Sequence, residues 1–120
     1  MPDQIDALRN QLSRHREIHI SVTGRTSGRA ISIPVWFVFE DGKLYLLPVQ
    51  GSDTQWFKNV QQKPSLKITA GGADGDLKPV VISDPKQVAS VVEKFRARYG
   101  AGDVKKYYSK FDVALLAQLS

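Results

Sequence analysis

Two glycines, two arginines and three hydroxyl side chains crowd into the seven positions Thr23-Gly24-Arg25-Thr26-Ser27-Gly28-Arg29. Such a set can hold an anion: glycine lets backbone N–H groups approach a ligand, hydroxyls donate hydrogen bonds, and arginine presents a planar fork matched to phosphate or carboxylate. The same residues also make a polar turn with solvated arginines. A second small polar loop, Gln50-Gly51-Ser52, follows Val49, while tryptophan, phenylalanine and tyrosine supply flat apolar surface; Trp36 and Trp56 suit either a site or the barrel core, and Phe57 the core. The sequence holds no cysteine, no His-Glu-x-x-His, no metal-ligand spacing and no Ser-His-Asp order that would support self-sufficient hydrolysis. Two kinds of protein suit what remains. One binds a phosphorylated, flat cofactor and leaves the hard chemistry to it; the other binds such a ligand without turnover.

These residues need elements to position them. Asp3 can cap a first amphipathic helix with Ile5, Leu8 and Leu12 on one face and Arg9, Arg14 and Arg16 kept polar. From Glu17 the period becomes two, and Ile18, Ile20 and Val22 mark a half-buried strand that ends at the glycine-arginine loop. His19 lies on the other face of that strand, turned either to a cavity or to solvent, and His15 reads as a surface histidine. Ile31 to Phe39 gives the longest strand signal, in which Pro34 belongs at an edge, a bulge or a bend because it cannot donate to a ladder. Asp41-Gly42 predicts a tight hairpin, with Leu44 to Val49 as the returning strand. Ser52 or Asp53 can cap a short helix over Thr54 to Gln61, on which Trp56, Phe57 and Val60 make apolar contacts and Lys58 and Asn59 face elsewhere.

Further along, Leu66, Ile68 and Ala70 alternate as a strand, the run 71–76 reads as a flexible hairpin tip, and Val80 to Ile82 as a further strand. Asp84, Pro85 and Gln87 form a clear helix start, Val88, Val91, Val92, Phe95 and Tyr99 its apolar stripe, and Gly100 its end. Asp103 can cap a short basic helix, Val104 to Ser109, before a closing strand from Val113 to Leu119. The sum is a mainly β chain with flanking helices, a six-stranded antiparallel barrel of short, hairpin-joined strands.

At 120 residues the sequence predicts a single domain, with 1–16 an amphipathic helix and 17–120 the barrel and its covering helices. Hydrophobic residues make up 42% and charged residues 24%, so neither disorder nor a membrane protein is expected. No apolar run spans a bilayer and Met1-Pro2-Asp3-Gln4 is not a secretory start, which predicts a cytoplasmic protein without integral membrane association. The net charge of +5 divides into +2 over residues 1–30, zero over 31–82 and +3 over 83–120. No aromatic-interleaved basic strand or helix-turn-helix accompanies it, which ranks nucleic acid low as a partner.

In order and spacing, Thr23-Gly24-Arg25-Thr26-Ser27-Gly28, Pro34 with Val35-Trp36-Phe37-Val38, Asp41-Gly42-x-Leu44-Tyr45 and Trp56-Phe57-x-Asn59-Val60 with Pro64 resemble the deazaflavin-dependent nitroreductase family. That family lies within the flavin-binding split β-barrels that include pyridoxamine-phosphate oxidases, and the resemblance covers roughly residues 17–119. It implies a six-stranded split barrel, a homodimer, and an 8-hydroxy-5-deazaflavin coenzyme or FMN in a groove. By resemblance, Gly24, Arg25, Thr26, Ser27, Gly28 and Arg29 hold the phosphate-bearing tail. Val49, Gln50, Gly51 and Ser52 border the ring, and the Trp56-Asn59 helix packs beside the site. The implied activity is hydride transfer between reduced cofactor and a small planar acceptor, a nitroaromatic, enone or quinone. This chain departs from the family at three cationic positions: Thr26 stands for lysine, Ile31 for arginine, and Gln50-Gly51-Ser52 for Lys-Gly-Gly. At ~1.5–3 kcal/mol per charge-assisted hydrogen bond, their loss weakens the hold on a polyanionic tail; either Arg29 and Lys58 compensate, or the chain takes the shorter FMN tail, or it binds another ligand without turnover.

Overall fold

The computed structural model describes residues 4–118. Asp3 and Leu119 lie outside them, as does the side chain of Ile5. The elements in chain order are α1 (Gln4–Leu12), β1 (Glu17–Thr23), β2 (Ala30–Glu40), β3 (Lys43–Leu46), a 3-10 turn (Gly51–Asp53), α2 (Gln55–Gln62), β4 (Leu66–Ala70), β5 (Ala73–Leu77), β6 (Val80–Ile82), α3 (Pro85–Tyr99), α4 (Ala101–Tyr107) and β7 (Ala114–Gln118). The strands form one curled antiparallel half-barrel in the order β5-β4-β1-β2-β3-β7-β6. It has seven strands where the sequence predicts six. The seventh is β5, which takes up most of the predicted flexible tip: Gly71-Gly72 alone make the turn, and Ala73 to Leu77 pair with Ala70 to Leu66. Ala, Asp and Gly are poor strand formers, so this pairing is imposed by tertiary context, with α1 packed across β5.

The long strand β2 joins the two halves of the sheet. Ala30 to Trp36 pair with Thr23 to Glu17 of β1, and Phe37 to Glu40 then pair with Leu46 to Lys43 of β3. Among the described residues, no strand lies along the other edge of Ala30–Trp36, and Pro34 sits on this open stretch, where its missing N–H costs no ladder bond. The change of partner between Trp36 and Phe37 would strand backbone groups, and one side chain serves them. The buried Tyr99 hydroxyl accepts from the Phe37 N–H at 3.1 Å and lies 2.8 Å from the Phe37 carbonyl and 2.7 Å from that of Arg16.

Alternation along β2 feeds two apolar clusters. Phe37, with Ile33, Val35 and Phe39 beside it, joins Ile18, Ile20, Trp56, Phe57, Ile68 and Leu8 of α1 in the larger one. Val38, flanked by Trp36, joins Val88, Val91, Phe95, Tyr99, Val104 and Tyr108 in the other, beneath α3 and α4. Asp41 (φ 54°) and Gly42 (φ 73°) form the predicted hairpin turn between β2 and β3. Its Glu40 carboxylate pairs with Lys94 of α3 and raises that ammonium's pKa.

The start and end of α3 match the sequence expectation, with Asp84 accepting from the Gln87 N–H at 3.3 Å and Gly100 closing the helix. Three other bounds move. β3 stops at Leu46, since Pro48 cannot continue the ladder. α2 begins at Gln55 with Thr54 as its N-cap residue, because Gly51–Asp53 form a separate 3-10 turn and neither Ser52 nor Asp53 caps a helix. α4 starts at Ala101 directly after Gly100, which places Asp103 inside its first turn. Among the described residues no helix is long and apolar enough to cross a membrane.

Candidate functional site

The loop between β1 and β2 is closed by its own backbone. The Gly24 N–H donates to the Arg29 carbonyl at 2.8 Å and the Gly28 N–H to the Gly24 carbonyl at 2.9 Å, so both glycine donors are spent inside the turn. Ser27 Oγ accepts from the Arg29 N–H, and a Cβ on Gly24 would come within 2.6 Å of that oxygen. Arg25 is exposed, yet its donors reach toward α2. Its N–H and Nη1 donate to Asn59 Oδ1 at 3.1 and 2.8 Å, and its Nη2 donates to Gln55 Oε1 at 2.7 Å. Asn59 is 5% exposed, a buried polar side chain whose task is to receive this arginine. It therefore does not face away from the packed side of α2, as its polarity implies. Arg29 and Thr26 are exposed, and no partner of the Arg29 guanidinium occurs among the described residues.

The second loop is held by the segment just ahead of β7. The Ser52 N–H and Oγ donate to the two oxygens of Asp112 at 2.9 and 2.5 Å, which holds that carboxyl below its ordinary pKa. Gly51 adopts a left-handed φ of 57°, and a Cβ there would fall 2.0 Å from Asp112 Oδ1. The Gln50 N–H donates to Thr54 Oγ1, while the Ser109 N–H donates to the Val49 carbonyl at 2.8 Å and Lys110 reaches Asp53 at 3.1 Å. A carboxylate of the chain itself thus takes up the Ser52 donors.

Beside Val49 opens a cleft of about 340 Å³ lined by Glu17, Pro34, Trp36, Val49, Tyr107 and Tyr108. Its floor is the outer face of the β1–β2 hairpin, where Glu17 and Trp36 are direct partners. Trp36 stacks on Tyr99 with ring centroids 4.3 Å apart and meets Tyr107 nearly edge-on at 5.6 Å. Burial raises the Tyr108 phenol well above its ordinary pKa, so it stays neutral. Pro34 in the cleft and Ala30 at the loop are separated by ~13 Å of extended strand. Val49, Gln50, Gly51 and Ser52 lead from the cleft to the N-terminus of α2, whose Gln55 and Asn59 hold Arg25. Apart from Trp56, the predicted residues therefore form one band from the cleft to the glycine-arginine loop; Trp56 is 5% exposed within the larger core cluster and supports α2 from below.

Glu17 and Asp112 carry parts of this arrangement without being singled out by sequence, and Tyr99, placed by sequence only in the apolar stripe of α3, also serves through its hydroxyl. Only strand register reveals Glu17, and only the meeting of distant segments reveals the other two. A wider trough of about 700 Å³ lies between α1 and the Gly71-Gly72 turn, lined by Asn10, Arg14 and Asp74, and includes none of the predicted residues.

A curled half-barrel with helices on its flanks is a fold that solved structures share. The structure is similar to that of an F420-H2 dependent reductase, FDR-A, with TM-score 0.67 and 16% identity, covering 87% of this chain and 95% of that one. It is similar to a structure described as a domain-swapped dimer, with TM-score 0.68 and 16% identity over 97% of this chain and 100% of that one. It is similar also to HutZ, the heme storage protein from Vibrio cholerae, with TM-score 0.69 and 12% identity over 93% and 87% of the two chains. No curated protein matches the sequence. Residues 9–113 match the model of DUF2255, described as an uncharacterized protein conserved in bacteria, and the chain belongs to that family.

Proposed function

We propose that this chain binds a flat, phosphate-bearing redox cofactor, an 8-hydroxy-5-deazaflavin coenzyme or FMN, and acts in the cytoplasm as an oxidoreductase on a small planar acceptor such as a nitroaromatic, enone or quinone. The observation that carries this reading is the band just described, which joins an aromatic cleft to a loop bearing the exposed Arg29 along the open stretch of β2. The chain's residues fit the two ends of such a group differently. Trp36, Val49 and Tyr107 would hold the ring, exclude water from its face and leave its edge accessible to the acceptor. Arg29, Thr26, Ser27 and the donors that Arg25 does not spend on α2 would hold the phosphate, while Gly24 and Gly28 shape the turn and Asn59 fixes Arg25. When bound, the cofactor supplies the hydride; this chain supplies orientation and electrostatics.

The fold of a reductase that uses reduced F420 supports the redox reading, and that of a heme storage protein supports the ligand-holding one. One observation favours the second role: Thr26, Ile31 and Gln50 are neutral, and the Ser52 donors are taken up by Asp112. We further propose a homodimer, in line with the domain-swapped dimer of the same fold. Titration with FMN and with the deazaflavin coenzyme, followed by tryptophan fluorescence, tests the reading. Binding of one at micromolar concentration, then reoxidation of the reduced, bound cofactor by an acceptor, is expected. Failure of both to bind sinks it, and binding without reoxidation leaves the carrier role.

A further inference from the structure

We propose that Glu17 selects the ring edge that enters the aromatic cleft. The cleft accepts a flat heterocycle whose inserted edge carries an N–H donor, as the imide edge of flavin and deazaflavin rings does. It rejects edges that offer only acceptors or negative charge. The inference rests on the ring-binding role proposed above and names the group within that site that discriminates.

Strand register supplies the geometry. Glu17 and Trp36 are direct partners across β1 and β2, so their side chains leave the sheet on one face, and Pro34 shares it two residues before Trp36. All three line the cleft opposite Val49 and the two tyrosines. The indole that a ligand must meet is held in place, stacked within 8° of parallel on Tyr99.

Among the residues lining the cleft, Glu17 alone carries a formal charge, and no hydrogen bond or ion pair to its carboxylate occurs among the described residues. The neighbouring cations are turned to other contacts. The Arg16 guanidinium lies 5.2 Å from the Tyr99 ring centroid and donates to the Arg98 carbonyl. Arg98 donates to the His15 carbonyl and stacks over Phe37, and Lys106 lies 5.3 Å from the Tyr107 ring centroid. An ionised carboxylate can only accept hydrogen bonds. Covering it with a ligand that brings no donor strips water from a charge without replacement, whereas an N–H at that place restores a charge-assisted bond.

Lumiflavin, which has the ring and no phosphate, and 3-methyllumiflavin, whose imide N–H is blocked, are the probes, with quenching of tryptophan fluorescence as the readout. The wild-type protein is expected to bind lumiflavin at least about tenfold tighter than its methylated form. In Glu17→Ala that preference should fall within about threefold, with an unchanged circular dichroism spectrum, and Glu17→Gln should lie between the two. Equal affinity of the wild-type protein for both rings, or an undiminished preference in Glu17→Ala, overturns the proposal and leaves the proposed cofactor in place. If neither ring binds while FMN does, the proposal falls and the oxidoreductase reading survives. If none of the three nor the deazaflavin coenzyme binds, both fall.

Discussion

Asn59→Ala should loosen the glycine-arginine loop from the body of the molecule. In the intact protein the Asn59 carboxamide oxygen, on a residue 5% exposed, receives both the backbone N–H and the Nη1 of Arg25. Truncation removes one neutral and one charge-assisted bond and leaves a half-buried backbone donor unpaired. A neutral bond contributes ~1 kcal/mol and a charge-assisted one ~1.5–3 kcal/mol, the latter discounted because the guanidinium is partly solvated. The expected loss is ~2 kcal/mol, or a fall of roughly 6–10 °C in Tm for a domain of this size. Urea denaturation followed by circular dichroism gives the free energy, and a double-mutant cycle with Arg25→Ala isolates the pair. A coupling of ~1–2 kcal/mol is expected from the Nη1 bond alone, because Arg25→Ala keeps the backbone N–H that donates to Asn59. A loss under ~0.5 kcal/mol, or strict additivity with Arg25→Ala, would refute the idea that α2 anchors the loop through this side chain.

Tyr99→Phe should cost ~1–3 kcal/mol in denaturant melts, because it deprives the Phe37 N–H of its acceptor where β2 changes partner; a neutral result would mean that water substitutes there. Gly51→Ala forces a left-handed residue and a Cβ into Asp112, so thermal melts should show a loss of ~2–4 kcal/mol, whereas Ser52→Ala should cost less. Asp112 has its pKa lowered in the folded state, chiefly by the Ser52 hydroxyl, so its contribution is present above the ordinary value of 3.8 and disappears as pH falls through the lower folded value. Asp112→Asn should therefore be less stable than wild type at pH 7 and indistinguishable from it once acid has protonated the wild-type carboxyl, as pH-dependent melts would show.

The parts of this fold that sequence reveals are those specified by neighbours in the chain. Asp41-Gly42 set a hairpin by their own backbone preference, and Asp84, Pro85 and Gly100 bracket α3 through local capping chemistry. β5 escapes because Ala73-Asp74-Gly75-Asp76 has no strand preference, and its state comes from pairing with β4 and covering by α1. The same division holds at the candidate site. Composition marks the glycine-arginine loop, yet it says nothing of how the Gly24 and Gly28 donors are spent. It also hides that the Arg25 fork is turned onto α2, since its partners lie thirty or more residues away. Asn59 reads as a polar residue off the packed side of α2, and only Arg25 explains its burial. The cleft is least legible, because Glu17, Trp36, Val49 and Tyr107 come from separate elements and share no periodic pattern.

In the function proposed above, one ligand occupies both the aromatic cleft and the arginine loop. Calorimetric titration of FMN against riboflavin, and of the deazaflavin coenzyme against its phosphate-free ring, bears on it most directly. The phosphate-bearing form of at least one pair should bind about tenfold or more tightly than its partner, and Arg29→Ala should abolish that advantage while leaving the affinity of the bare ring intact. Equal affinity within both pairs, or a phosphate advantage that survives Arg29→Ala, would contradict it.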